Sequence, residues 1–510
     1  MKYSAGAAVV LVALFGAVVV RTAWLSDDAY ITFRTADNFV HGHGLTWNPG
    51  ERVQAYTHPL WMFLVTGVCA VTREMFASAV VLSILVSLAA VLVLGLRVSA
   101  SPRGTALAFL LVVSSKAFVD YSTSGLENAL THLLLAVFAA VFFRGGFSTR
   151  KVFLLSLVAG LAALNRMDTI LLLLPALLFA LYKARSWKGA RSMALGFLPF
   201  IVWEIFAVFY YGFPFPNPAY SKLGAGIPAA ELARQGGFYL LNSIRIDPLT
   251  LAVAAAGMAV VFLRKYRPGL PLAAGCLLYL LYVVRVGGDF MSGRFLTAPF
   301  FIAVALLSRV RFKNAAVFGA VFLVAAAAGA LPRYAPAKSG PHYANIAIDA
   351  HGISDERGFY FPYAGLLAAG REGPPPTLNR EAGLKARKEG GVVINHALGY
   401  FGFFAGPGVH IVDPHGLADP LLAHMPAFYD PKWRIGHFAR VIPGGYVETL
   451  RERKILIHDK NLGEYFRRIN LIVRGKLFSL RRLKTIVEFN LGRYRHFLDW
   501  ELYRFPPGTR

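Results

Sequence analysis

The sequence predicts a polytopic all-α membrane domain followed by a small α/β domain, and three observations carry that expectation. Hydrophobic residues make up 56% of the 510-residue chain and charged ones only 16%, where soluble globular chains carry roughly a quarter charged residues. Apolar stretches near the length that crosses a bilayer, about 20 residues, recur as far as residue 331. Beyond residue 332 the composition shifts, and no apolar run is long enough to span. The expected division is therefore a membrane domain over 1–332 and a soluble domain over 333–510. A formal net charge of +25 would by itself suggest nucleic acid. A nucleic-acid-binding domain has no need of such apolar runs, so the partner expected is membrane lipid.

The apolar windows lie near 4–23, 75–96, 105–119, 128–143, 152–164, 169–182, 192–211, 247–263, 270–284, 295–308 and 315–331, about eleven spans. Lys2 and the run to Val20 have the look of a secretory signal. Trp24 stands where a small-residue cleavage site would be needed, so the run reads as a retained first helix. Cys69 and Cys276 lie inside apolar stretches and are expected to be free.

Charge orients these windows. Lys2 and the loops around Arg97–Arg103, Arg144–Lys151, Lys183–Arg191, Arg264–Arg267 and Arg309–Lys313 hold 16 basic residues and no acid. By the positive-inside rule these loops are cytoplasmic, which puts the N-terminus inside and the last segment outside. Residues 1–332 contain 12 acids, of which only Glu204 falls within an expected span. The other 11, Asp27 and Asp28 first among them, lie in or beside the opposite loops. Polar chemistry is therefore expected on the external face of the cytoplasmic membrane. Residues 333–510 carry 26 basic and 16 acidic residues. Within them Gly391–Asn395 and Val409–Val412 read as strands around a short helix near 396–405, and Lys454–His458 and Leu471–Arg474 read as further strands.

The first external loop, 24–60, is the richest in candidate residues. Asp27 and Asp28 follow the first apolar window directly, at the membrane–water boundary. Ile31, Arg34 and Asn38 fall on one stripe of a helix from Ala29 to Phe39, which suits a helix lying in the interface. Asp27 could instead cap that helix, with Asp28 solvated near its positive end. His41 and His43 lack the spacing of a zinc site, so no metal site is expected. No Walker A loop or dinucleotide fingerprint occurs.

Several stretches together resemble the terminal β-(1→2)-arabinofuranosyltransferases, integral-membrane glycosyltransferases with the GT-C fold. They are DDAYITFRTADNFVHGHGLTWNPGERVQAYTHPLW (27–61), GLENAL (125–130), FPFPNPAYSKL (213–223), GGDFMSGRFL (287–296), HIVDPHGLADPLLA (410–423) and RIGHFARVIPGGY (434–446). The chain departs from that family's pattern at His58, where the family has Asn, and at Arg166-Met167-Asp168, where it usually has Arg-Pro-Glu/Asp.

The resemblance implies an inverting glycosyltransferase that moves a pentofuranosyl, arabinofuranosyl, residue from a polyprenyl-phosphate donor to a cell-envelope glycan or glycoprotein. By similarity to GT-C enzymes, Asp27 is the expected general base and Asp28 the group that orients acceptor or base. Lys222, Arg294 and Arg166 are the expected partners of the donor phosphate, as charge-assisted donors. Arg166 could instead pair with Asp168, and Arg294 with Asp289. His58, Tyr220, Asp289, Glu127, Asp413, His415 and Asp419 are expected at the sugar or acceptor. Glu127 alternatively opens a helix, and the 413–419 loop alternatively owes its residues to turn chemistry. No cofactor is required, although a divalent cation bridging the aspartates to phosphate fits the same scheme. Two other classes fit the composition: a lipid-linked sugar transporter or flippase, and a non-catalytic envelope or flagellar assembly factor of the same fold. The clustering of acids at one face and the absence of an internal repeat count against the transporter.

Overall fold

The computed structural model describes residues 5–506, so the expectation for Lys2 lies outside the described residues. Packing divides the chain into two compact units. The first comprises Met1–Ser26, Glu74–Phe200 and Ala229–Pro375, and the second Asp27–Arg73, Ile201–Pro228 and Pro376–Arg510.

The first unit is helical. The windows expected there coincide with helices, among them Asn128–Phe142, Thr149–Asn165, Thr169–Ala184, Pro248–Leu263 and Leu270–Arg285. Among the described residues Met75–Val98 and Arg267–Arg285 are each long and apolar enough to cross a membrane, and the count reaches five if three bent helix pairs elsewhere are each taken as one span. The helix Thr297–Leu307 is buried along nearly its whole length. Small residues allow the helices their closest approaches: a Cβ on Gly275 would strike the carbonyl of Leu172, and one on Gly257 would meet Ala303. In lipid, where apolar burial between helices gains little, such contacts supply the packing. The window expected at 105–119 breaks at Ser115, whose side chain caps the short helix Lys116–Asp120. Around that helix Lys116 pairs with Asp120 and, at 2.9 Å, with Asp355. Arg357 pairs with Asp120 at 2.5 Å, which fastens the segment near 355 into this unit. Cys69 and Cys276 are free and buried.

The second unit contains a two-stranded parallel sheet where two strands were expected. Strand β1 (Gly391–Ile394) pairs with β2 (Val409–Val412) in the register Gly391↔Val409 to Ile394↔Val412. The connecting helix is Tyr400–Ala405. The strands expected at 454–458 and 471–474 are absent. Leu471–Arg474 is the last turn of the helix Lys460–Arg474, which begins at an Asp459 cap. Leu462, Phe466, Ile469 and Val473 recur on the buried side of that helix at intervals of three and four, a helical period that the short apolar run at its end conceals. A further apolar helix, Pro59–Thr72, lies where the sequence was read as loop and its continuation.

The helix Asp27–Val40 does not turn its Ile31–Arg34–Asn38 stripe outward. All three residues are buried. Arg34 stacks on Trp47 with 4.3 Å between guanidinium and ring. It donates to the carbonyls of Trp47 at 2.9 Å, Gly402 at 2.5 Å and Val409 at 2.8 Å. Asn48 completes the junction by donating to the Ile411 carbonyl and accepting from its N–H, each at 3.1 Å. A buried polar group is tolerated when its hydrogen bonds are made, and Arg34 makes them all to oxygens of this unit. Arg34→Met would leave those carbonyls buried without their donor and should destabilise the unit by about 3 kcal/mol. Thermal unfolding in detergent, followed by tryptophan fluorescence, tests this; an unchanged midpoint would contradict it.

Candidate functional site

The second unit contains both aspartates that follow the first helix. Asp27 opens the helix Asp27–Val40 and points away from a role as its cap. Its carboxylate accepts the N–H groups of Gly399 at 3.1 Å and Tyr400 at 2.8 Å, the entry to the Tyr400–Ala405 helix. Gly399 is required for this approach, because a Cβ there would collide with the Asp27 backbone and carboxyl group. Burial pushes the Asp27 carboxyl up to about 6; the Asp28 charge adds to that and the two amides oppose it. Asp28 is half-buried. Among the described residues it has neither a hydrogen-bond nor an ion-pair partner, so its oxygens are available to a ligand.

His58 lies on the same helical scaffold. It precedes the helix Pro59–Thr72, and its Nε2 is 2.8 Å from Thr32 Oγ1 on the Asp27–Val40 helix. Tyr220 packs against His424 with tilted rings, their centroids 4.7 Å apart, and burial pushes its phenol up to about 12. Lys222, two residues on, is half-buried.

The loop after β2 is built by its own acids. Asp413 is fully buried and accepts the N–H groups of His415 at 2.8 Å, Leu417 at 2.5 Å and Ala418 at 2.9 Å. Asp419 accepts those of Leu421 and Leu422, both at 2.9 Å, and the Tyr446 hydroxyl at 3.0 Å. Burial pushes Asp419 up to about 8. Both side chains shape the turn that presents His415, with their oxygens directed at the protein's own donors.

The remaining candidates come together in the first unit as an ion network. Glu127, at the start of Asn128–Phe142, receives Arg166 Nη1 at 2.9 Å and Arg294 Nη2 at 3.1 and 3.2 Å. Arg166 also grips Asp168 with two bonds, of 2.7 and 2.8 Å, while Arg294 Nη1 is 3.5 Å from Asp289 Oδ2. Both structural pairings weighed for these arginines are therefore present, and Glu127 joins them. The Gly287-Gly288 turn that delivers Asp289 has positive φ at both residues, and a Cβ on Gly288 would strike Tyr239.

Among the described residues no three His, Cys, Asp or Glu side chains are grouped to hold a metal ion. Sequence reasoning missed two groups that organise the second unit. Arg440 is buried and donates to the carbonyls of His415 at 2.8 Å, Phe438 and Ser221. Gly399 was the other. The RIGHFAR stretch that contains Arg440 was legible as a motif, but nothing local announced that its second arginine points inward.

No protein family model matches the chain. It is 28% identical to the terminal β-(1→2)-arabinofuranosyltransferase of Mycobacterium tuberculosis over 84% of this chain and 83% of that protein. It is 27% identical to the enzyme of the same name from Corynebacterium glutamicum over 54% of this chain and 46% of the relative, so this second match spans about half of each. Among solved structures, an archaeal oligosaccharyltransferase from Archaeoglobus fulgidus, in complex with an inhibitory peptide and a dolichol-phosphate, superposes with a TM-score of 0.45 at 12% identity, covering 80% of this chain and 65% of that one. Along most of its length the chain is thus similar to proteins named terminal β-(1→2)-arabinofuranosyltransferases, the same family that its sequence motifs resemble.

Proposed function

We propose that the protein is an inverting, GT-C-type membrane glycosyltransferase that moves an arabinofuranosyl residue from a polyprenyl-phosphate donor to a cell-envelope glycan or glycoprotein. The observation that carries this reading is the Asp27–Asp28 pair: one carboxylate anchored on two amides with its pKa drawn toward neutrality, the other with no partner among the described residues. The similarity to proteins named as arabinofuranosyltransferases supports the sugar.

In the proposed step the acceptor hydroxyl donates to Asp27 while Asp28 holds the acceptor sugar. The hydroxyl oxygen attacks the anomeric carbon from the face opposite the phosphate. A C–O bond forms there, and the bond to the phosphate oxygen breaks with its electron pair leaving on the lipid phosphate. The hydroxyl proton passes to Asp27, and configuration inverts. A base with a pKa near the working pH is suited to this transfer. Lys222, in the same unit as the aspartates, is the cation proposed for the phosphate, whereas Arg166 and Arg294 are held by Glu127, Asp168 and Asp289 within the first unit. His58, Tyr220 and His415 are proposed to contact sugar. Asp413 and Asp419 would act by holding the His415 turn. The charge bias of the loops supports a reaction on the external face of the cytoplasmic membrane.

Asp27→Asn should lower transfer from a polyprenyl-phosphoryl arabinofuranose by at least 10³-fold while the protein remains membrane-inserted, with release of polyprenyl phosphate as the readout; near-normal release would remove Asp27 as base. Below pH about 6 the Asp27 carboxyl keeps its proton and cannot accept another. A profile of kcat/KM against pH should therefore fall about tenfold per unit on the acid side and level off above. The step as written needs no cofactor, so transfer should survive EDTA; loss with EDTA and recovery with a divalent cation would require a metal beside the aspartates.

A further inference from the structure

Three histidines gather in the second unit where the two parallel strands end. His396 follows β1 by two residues and His415 follows β2 by three, so both loops leave the same end of the sheet. This is the edge at which open α/β sheets collect ligands. The rings of His396 and His415 are 5.2 Å apart between centroids, and those of His415 and His437 are 5.6 Å apart. His415 Nδ1 is buried and has no hydrogen-bond partner among the described residues.

The surroundings of these rings are cationic. Lys222 and Arg434 are the charges felt by His437, and His437, His396 and Arg440 are the foremost ones felt by His415. Burial holds His415 down to about 3 and His437 down to about 4, with Arg440 adding to it at His415 and Arg434 and Lys222 at His437. The carboxylates of the same loop, Asp413 and Asp419, are turned onto backbone amides. Lys222 has no carboxylate within ion-pair distance among the described residues.

The cluster is also built rigidly. Arg440 ties together the carbonyls of Ser221, His415 and Phe438, which neighbour or belong to Lys222, His415 and His437. Asn217 donates to the carbonyls of Gly416 at 3.0 Å and Asp419 at 2.9 Å, binding the Lys222 helix to the His415 loop. On the other side, His396 stands three residues before the Gly399 amide that Asp27 accepts. Arg166 and Arg294, by contrast, already have carboxylate partners.

We infer that Lys222, His396, His415 and His437 form the seat for the phosphate of a lipid-linked donor. This rests on the transferase reading for the source of the phosphate, but not for the anion itself. Cleavage of the sugar–phosphate bond turns a singly charged diester into a monoester of about −1.5 to −2. Lys222 faces that group as a fixed charge, and an anion seated there favours a proton on the rings, which then donate to the charge as it develops.

The test uses the full chain in nanodiscs, titrated with farnesyl phosphate, with farnesol and with inorganic phosphate. Farnesyl phosphate should bind, farnesol should bind at least tenfold more weakly, and inorganic phosphate should also bind weakly. Lys222→Met and His437→Gln should each weaken farnesyl phosphate about tenfold without changing farnesol. Lys385→Gln, which removes an exposed charge of the same unit, should leave it unchanged. The unliganded melting temperature of each variant is measured alongside. Should either of these half-buried substitutions unfold the protein, His396→Gln at an exposed ring replaces it and should weaken binding about threefold. Wild-type affinity in these variants, or loss of binding only in Arg294→Gln, would overturn the assignment. Inorganic phosphate binding as tightly as farnesyl phosphate would overturn the lipid source. Binding that depends on the cluster in a protein that transfers no sugar would support the seat and reject the transferase reading.

Discussion

Arg34 is a guanidinium buried among carbonyl oxygens, and the second unit depends on it. It fixes the helix that begins at Asp27 against the loop after Trp47, the Tyr400–Ala405 helix and the start of β2. The contact between Asp27 and the Gly399 and Tyr400 amides is a corollary of that placement. A side chain with five donors and a planar fork can satisfy several carbonyls at once, which an ammonium cannot do in the same geometry. The cost of desolvating the charge is offset only because each of these bonds is made.

The same device recurs. Arg440 gathers the segments that carry Lys222, His415 and His437. Arg482 donates to the carbonyls of Ile472, Phe209 and Tyr210, and Arg504 to those of Ala427 and Phe428. The basic excess of the last third of the chain therefore has a structural component, since these arginines staple loops from within. In the first unit Arg166, Arg294, Lys116 and Arg357 pair with carboxylates instead, while the buried Lys151 donates to the carbonyls of Phe142, Arg144 and Gly146 where a helix ends. Where the backbone is helical its carbonyls are already taken, and side-chain acids must serve. Where it is loop, the carbonyls are free to accept.

That contrast accounts for what the sequence disclosed. Apolar windows and the β1–helix–β2 run are local patterns, and they were legible. Arg166 and Asp168, two residues apart, were recognisable as a pair, whereas Glu127, 39 residues away, was not recognisable as the third member. The buried stripe of Ile31, Arg34 and Asn38 was visible as a stripe, but what covers it lies 368 and 375 residues further on. Leu471–Arg474 misled because four apolar or long residues look alike as a strand or as the end of an amphipathic helix. The acids of the 413–419 loop announced a polar site, yet their targets are amides of their own turn, which no side-chain pattern reveals.

The distance along the chain between Asp27 and its amide partners has a consequence for biogenesis. At the usual translation rate of about 5–20 residues per second, the 372 residues that separate Asp27 from Gly399 take roughly 20–75 s to make. For most of that interval Arg34, Trp47 and the two aspartates are already made while the surfaces that will enclose them are not. Such long-range closure is slow to fold and leaves a polar, partly apolar segment waiting beside the nascent helices. The second unit is in this sense a late product of synthesis, completed only when the last of its three stretches returns to the first.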